Sequence, residues 1–255
     1  MITFLQDMCL EDYTLLLPSV GVGNVSQLCI DLLITNLHLQ KIGQICNPAF
    51  VPVAGANAYH EQSREISTEI DIYAGIETCI VAIQVRSPYV GVLTEFFEEL
   101  THFITNKKIA KVIILSSSND YEMKDVKPQN LKLRYVASPS IHAESGKLFK
   151  KLNWILHEPQ VASGSTEEGK LRIPGGGFAM SFFNHLSTAN IPSAILFKFC
   201  SEGNNITDAI DLLYYLNNWM QFEVLNINSE NVFENLKYPS SWILLFGNPP
   251  PRNMY

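Results

Sequence analysis

Short apolar runs alternate with segments of helical periodicity along most of this chain, and that alternation limits its fold more than any other feature. Residues 13–18 form an apolar run that a proline ends, and the glycine-containing turn 21–23 follows. Such a run predicts a buried strand that enters a tight turn. Residues 25–39 then place apolar side chains on several helical faces, with Asn24 or Ser26 as a candidate N-cap. The N-terminal region therefore predicts a strand, a loop and a largely buried helix.

The middle of the chain predicts a hairpin followed by a helical crossover. Residues 65–73 alternate isoleucine with acidic residues, as expected of a strand with one exposed face. The apolar run 79–85 follows, and Ala74-Gly75 is the expected turn between the two strands. Apolar residues recur at helical spacing over 96–104, and residues 111–115 predict a central parallel strand.

The C-terminal half resumes this order after a segment of different composition. Residues 160–169 are rich in Ser, Gly and Glu without apolar periodicity, which predicts an exposed loop. Helices are predicted over 178–186 and 205–222, with a buried strand over 193–200 between them. Strands that alternate with helices indicate a three-layer α/β fold, in which a mixed, mostly parallel sheet carries helices on both faces. We expect a single domain over residues 1–248.

Composition narrows the classes of protein to which the chain can belong. Hydrophobic residues make up 47% and charged residues 17% of its 255 residues, which favours a compact globular protein over a disordered one. The net charge of −7 argues against a nucleic-acid-binding protein, because phosphate contacts need clustered Lys and Arg. The N-terminal residues lack the basic and apolar segments of a signal peptide or a membrane span. We therefore expect no nucleic acid and no membrane among the partners.

The cysteine pattern indicates a reducing compartment. The five cysteines are Cys9, Cys29, Cys46, Cys79 and Cys200. They are odd in number, widely spaced and form no CxxC motif, so they predict neither a disulfide framework nor a zinc site. We expect most of them to be buried thiols, and we expect a cytoplasmic and nuclear protein.

Two glycine-rich turns match ligand-binding loops only in part. Gly21-Val22-Gly23 opens like a dinucleotide-binding loop, but Ser26 stands at the third glycine position. Gly175-Gly176-Gly177 offers consecutive backbone amides to an anion, but no Lys-Ser or Lys-Thr pair follows it. Tight backbone turns are the simpler interpretation of both segments.

The candidate catalytic side chains also lack a complete motif. Ser116, Ser117 and Ser118 end a predicted strand, where α/β enzymes place active groups, but the G-x-S-x-G elbow is absent and helix capping is favoured. The histidines show no paired metal-binding spacing, and Glu98 and Glu99 point about 100° apart on a predicted helix. The sequence predicts no catalytic residue, no cofactor and no metal. A phosphorylase-like or hydrolase-like enzyme that uses the serines and the glycine turns is the alternative.

Six segments, taken in order along nearly the whole chain, resemble the proteasome assembly chaperone 2 family. They are LLLPSVGVGNVSQLCIDLLI at 15–34, KIG at 41–43, KVIILSSS at 111–118, RIPGGG at 172–177, FKFCSEGNNITDAIDLLYYLNNWMQ at 197–221 and PSSWILLFG at 239–247. Each string alone is common, but their occurrence in the same order over a similar length is specific.

The resemblance implies a fold, partners and a role. The fold is a nucleoside-phosphorylase-like architecture without the activity of that enzyme, since fold alone does not determine function. The partners are proteasome assembly chaperone 1, with which the chain forms a heterodimer, and the α subunits of the 20S proteasome. The implied role is to bind the outer face of the α-ring and to promote correct assembly of the core particle.

The C-terminal tail, residues 249–255, carries the residues that the resemblance ties to this role. Three prolines form a stiff, extended spacer, and Asn253, Met254 and Tyr255 follow it. The family and the proteasome activators use a terminal hydrophobic-tyrosine-any motif, which binds a pocket between neighbouring α subunits. Met254 and Tyr255 match its first two positions, whereas no residue follows Tyr255. The resemblance thus implies partner binding by Asn253, Met254 and Tyr255.

Overall fold

The computed structural model describes residues 1–123, 131–158, 171–223, 225 and 236–244. The described residues form strands β1 (Ile2–Phe4), β2 (Thr14–Pro18), β3 (Gln40–Ile45), β4 (Ala54–Ala56), β5 (Ile66–Thr68), β6 (Ile70–Gly75), β7 (Ile80–Val85), β8 (Lys111–Asn119), β9 (Leu133–Ala137), β10 (Ile155–Leu156) and β11 (Ser193–Cys200). They also form helices α1 (Val25–Asn36), α2 (Thr94–Asn106), α3 (Pro139–Lys151), α4 (Ala179–Thr188) and α5 (Ile206–Met220). Short 3₁₀ turns span Val22–Asn24, Asp120–Glu122 and Ser240–Leu244.

One mixed sheet organises the molecule. Its strand order is β1-β3-β6-β7-β2-β8-β11-β9-β10, and β4 and β5 form a separate antiparallel pair. The central strands β7, β2, β8 and β11 are parallel, while β3, β6 and β7 on one side and β11 and β9 on the other pair antiparallel. The predicted three-layer fold with a mixed sheet is confirmed, as is the β6–β7 hairpin. Its turn was placed wrongly: Ala74 and Gly75 pair with Val81 and Ile80 inside the strands, and the turn spans residues 76–79.

Each face of the sheet carries its own hydrophobic core. Along β2, Leu16 packs on the same side as α1, α3 and α5, whereas Leu15 and Leu17 pack on the side of α2 and α4. This split follows from the two-residue period of a strand, which points successive side chains to opposite faces. Because both faces are covered, β2 and β7 are buried throughout and read as continuous apolar runs in the sequence.

The prediction for residues 65–73 is wrong about which side chains are exposed. A break separates β5 from β6, so Ile66 is exposed, whereas Asp71 is fully buried. Lys41 on the neighbouring strand compensates the carboxylate, with Nζ 2.6 Å from Asp71 Oδ1, and Thr68 donates to that same oxygen at 2.7 Å. The alternation of charged and apolar residues predicted that the acidic side chains face solvent. Asp71 instead forms an ion pair with Lys41 inside the sheet, which satisfies its charge.

Several local expectations also need correction. Asn24 takes the N-cap position of α1 with a left-handed backbone and no side-chain capping bond, while Ser26 Oγ donates to Ser19 O at 2.6 Å. Neither side chain caps the helix. Of the five free cysteines, only Cys29 and Cys200 are buried, so most of the thiols are exposed.

Two further predictions concern residues that the structure does not describe. The expected loop over 160–169 and the boundary between residues 248 and 249 lie outside them. Within the described part of the chain, no helix combines the length and the apolar character that crossing a membrane requires.

Candidate functional site

The carboxyl edge of the parallel strands is the first place to look for chemistry, since open α/β sheets bind ligands there. The structure brings the turn 21–23, the three serines at 116–118 and the glycine turn 175–177 together at this edge. The serines belong to β8 and are fully buried. They do not cap a helix, which corrects the expectation drawn from the sequence.

Each serine hydroxyl donates to a carbonyl of a neighbouring loop. Ser116 Oγ lies 3.0 Å from Gly176 O, Ser117 Oγ lies 2.7 Å from Val22 O, and Ser118 Oγ lies 2.7 Å from Pro174 O. Ser19 Oγ adds a second bond to Gly176 O at 2.7 Å. These hydroxyls therefore tie the loops to the strand end, and they are not exposed as nucleophiles.

Backbone amides at this edge also bond to the protein itself. Val22 N donates to Gly175 O at 3.1 Å, and Gly176 N donates to Ile173 O at 3.0 Å. A Cβ added at Gly23 would lie 2.4 Å from Asn205 Oδ1, so a side chain already fills the space beside that turn. An anion-binding loop needs amides that point at its ligand, and these amides have internal acceptors. The tight-turn interpretation of both glycine segments is therefore supported.

Neither metal-binding groups nor His157 form a further candidate site among the described residues of this region. Across residues 1–123, 131–158, 171–223, 225 and 236–244, no group of three His, Cys, Asp or Glu side chains could hold a metal ion. His157 is buried, and its Nε2 lies 2.7 Å from Arg172 O, as expected of a structurally bonded histidine.

A charged cluster in the domain interior, which the sequence did not predict, forms around Asp31 of α1. Asp31 Oδ1 accepts hydrogen bonds from Tyr59 Oη at 2.7 Å, Gln84 Nε2 at 2.6 Å and Arg86 NH2 at 3.0 Å. Asp31 Oδ2 accepts one from Trp242 Nε1 at 3.2 Å. We call these five residues the Asp31 cluster. The available signal was Asp31 itself, a lone charge in the middle of an apolar helix, which must find a partner when buried.

The electrostatics of the Asp31 cluster favour a fixed structure over proton transfer. Burial, together with the charge of Asp31, raises the pKa of Tyr59 well above its ordinary value. Burial alone would lower the pKa of Arg86, but Tyr59 and Asp31 outweigh that effect and hold this pKa above its usual range. The phenol therefore stays neutral and the guanidinium stays charged near pH 7, so neither group is poised to exchange a proton.

The Asp31 cluster and its surroundings hold the C-terminal segment 236–244 against the domain. Besides the Trp242 bond, Asn36 Nδ2 donates to Lys237 O at 2.8 Å and Lys237 N donates to Asn36 Oδ1 at 2.9 Å. Ser241 N donates to Ala58 O at 3.1 Å. These bonds therefore fix Lys237, Ser241 and Trp242 against the domain. Asn253, Met254 and Tyr255 lie outside the described residues, so their predicted partner-binding role stays a prediction.

Comparisons with known proteins agree with the fold and extend over nearly all of the chain. The model of the PAC2 family matches residues 15–226. Proteasome assembly chaperone 2 of Mus musculus is 36% identical over 254 residues, with 96% of each chain covered. The Bos taurus protein of the same name is 37% identical over 251 residues and covers 95% of this chain and 94% of its own.

Solved structures give the same result at the level of fold. Pyrococcus furiosus PbaA, an archaeal homolog of proteasome-assembly chaperone, superposes with a TM-score of 0.65 over 91% of this chain and 89% of its own. Its sequence identity of 15% supports the fold alone. The family match, the relatives and the shared fold together show that the chain belongs to the PAC2 family.

Proposed function

We propose that this chain is a proteasome assembly chaperone subunit that pairs with proteasome assembly chaperone 1 and binds the outer face of the 20S α-ring. The observation that carries the proposal is the similarity, over almost the full length of both chains, to proteins named proteasome assembly chaperone 2.

The internal bonding of the carboxyl edge supports a binding role without catalysis. A hydrolase or a phosphorylase needs an exposed nucleophile or an anion cradle, whereas Ser116, Ser117 and Ser118 each donate to a loop carbonyl. The enzyme alternative would therefore require these loops to open. We accordingly propose that these three serines have no catalytic role.

Affinity purification of the full chain from cells, followed by mass spectrometry, tests the proposal. We expect proteasome assembly chaperone 1 and α subunits to be recovered together, with few mature proteasomes. Recovery of neither would contradict the proposal. Imaging of the same tagged chain tests the expected cytoplasmic and nuclear localisation.

The proposed contact with the α-ring includes the tail residues Asn253, Met254 and Tyr255. A tyrosine ring that becomes buried removes roughly 150–250 Å² from water, which corresponds to about 4–6 kcal/mol before the cost of ordering the tail. One tail is therefore a weak ligand alone, but a domain that is already bound supplies it at high effective concentration. The bonds that hold Lys237 and Trp242 on the domain support this arrangement, since they anchor the chain upstream of the tail.

Removal of Met254 and Tyr255 tests the tail contact. We expect weaker recovery of α-ring intermediates, unchanged recovery of proteasome assembly chaperone 1 and an unchanged melting temperature. Arg252→Ala is a matched control, because it alters the same tail without touching its apolar end. Equal recovery by wild type and the shortened chain would assign the contact to the surface of the domain.

A further inference from the structure

Two neighbouring segments of this chain, a loop that continues into β4 and the loop that precedes α2, are exposed and uncharged. Residues 51–56 (VPVAGA) and 88–92 (PYVGV) are exposed at every position and contain no charged side chain. Backbone bonds hold the loops side by side: Val51 N donates to Pro88 O at 3.2 Å, and Val90 N donates to Ala49 O at 2.7 Å. Single exposed apolar residues are ordinary, but a contiguous set marks a contact surface.

An apolar groove of about 630 Å³ continues this region toward the C-terminal segment. Val53 and Ile243 line the groove together. We define the valine surface as Val51, Val53, Tyr89, Val90, Val92 and Ile243. Three of its side chains are almost fully in water, since Val90 is 73%, Val92 81% and Ile243 72% exposed.

The size of the valine surface fits the centre of a protein interface. Its six side chains leave roughly 400 Å² of hydrophobic area in water, which is within the range of the largest patches on monomers. One partner contributes about 800 Å² to a standard interface, so this surface accounts for about half and a polar rim accounts for the rest. Glu61, in the wall of the groove, is placed to belong to such a rim.

We propose that the valine surface is the site at which this chain pairs with its related chaperone subunit, an inference that rests on the heterodimer of the proposed function. Permanent interfaces are more hydrophobic than transient ones, and charged residues are depleted at their centre. The contact of a chaperone with the particle it assembles must be reversible, whereas the pair acts as a unit. An uncharged, apolar surface therefore fits the partner subunit better than it fits the α-ring.

Co-expression with proteasome assembly chaperone 1, followed by light scattering and a titration of the purified subunits, tests the proposal. Val92→Glu places a carboxylate at the most exposed side chain of the surface, and Val53→Glu places one at its groove. We expect each variant to raise the dissociation constant at least about 30-fold, as loss of a central contact does. Two separate loops carry these changes, so misfolding of one loop does not decide the result.

Ile76→Glu is the matched control, because Ile76 is 72% exposed but follows β6 at the other end of the hairpin from residues 88–92. We expect it to pair like wild type. Pairing of Val92→Glu and Val53→Glu with wild-type affinity would overturn the inference and leave the heterodimer intact. A wild-type chain that ignores proteasome assembly chaperone 1 would overturn both proposals. Loss of self-association alone would assign the surface to a second copy of this chain, which also contradicts the inference.

Discussion

The carboxyl edge of the parallel strands and the Asp31 cluster are both buried and polar, yet their hydrogen bonds end on different partners. At the edge, neutral serine hydroxyls donate to the carbonyls of two glycine-containing turns. In the Asp31 cluster, a carboxylate and a guanidinium meet within the domain, and Trp242 connects them to the C-terminal segment.

The comparison shows that buried polar groups can have two different roles. Bonds at the carboxyl edge satisfy the loops and remove the groups that an enzyme would use, so this region contributes stability. The Trp242–Asp31 bond in the Asp31 cluster spans 211 residues of sequence and fixes the C-terminal segment 236–244 against α1. Polar burial by itself therefore does not indicate catalysis, and the destination of each bond decides its meaning.

The largest expected effect comes from Asp31→Ala. The change leaves the largely buried Arg86 charge without its carboxylate and three further donors without their acceptor, so we expect the free energy of unfolding to fall by about 3 kcal/mol or more. Denaturation in urea measures this loss. Asp7→Ala, which breaks an exposed pair with Lys107, should leave stability nearly unchanged. If both variants behaved alike, the Asp31 cluster would not be a structural centre.

Gly177→Ala should have the next largest effect, at the carboxyl edge. Gly177 has φ +60°, and a Cβ there would lie 2.1 Å from Val20 O. We expect a loss of about 2–3 kcal/mol in the free energy of unfolding, because both backbone strain and a clash result. Gly55 has free space around a Cβ and an ordinary φ, so Gly55→Ala is the control. A neutral Gly177→Ala would show that the turn is not closely packed.

Ser118→Ala tests the hydroxyl bonds at the same edge. Removal of the hydroxyl leaves Pro174 O without its 2.7 Å donor, and we expect a cost of about 1–2 kcal/mol. The exposed Ser181 on α4 provides a control substitution to alanine with little effect. An unchanged melting temperature for Ser118→Ala would mean that water replaces the hydroxyl.

Trp242→Phe should have the smallest effect on overall stability, and its effect should be confined to the C-terminal segment. It removes the Nε1 donor to Asp31 while keeping an aromatic ring, so we expect about 1 kcal/mol of lost stability. Hydrogen exchange should accelerate at residues 236–244 and stay unchanged at the central strands. Uniform acceleration would contradict the view that this bond fixes the segment.

The sequence predicted the elements whose pattern is local and strong. Strand β11 and helix α5 have continuous apolar runs or a broad apolar face, and their observed bounds lie within two residues of the expected ones. Helix α3 escaped notice because only Ile141, Ser145 and Phe149 are buried on it, a stripe one residue wide.

The Asp31 cluster was not predictable for a different reason. Its five members come from α1, a loop, β7 and its end, and the C-terminal segment, and only the fold brings them together. The buried Asp71–Lys41 pair shows the same limit, since alternation placed Asp71 in solvent. Sequence periodicity reports which face is apolar, but it does not report which charges find a partner inside.

One measurement compares the proposed tail contact with the carboxyl edge directly: recovery of α-ring intermediates by the heterodimer carrying changes in the tail or at that edge. We predict that Tyr255→Ala weakens recovery, whereas a variant with alanine at Ser116, Ser117 and Ser118 recovers as much α-ring as wild type, provided that it remains folded and paired. The account would be contradicted if the triple serine variant, folded and paired, lost the α-ring while Tyr255→Ala retained it.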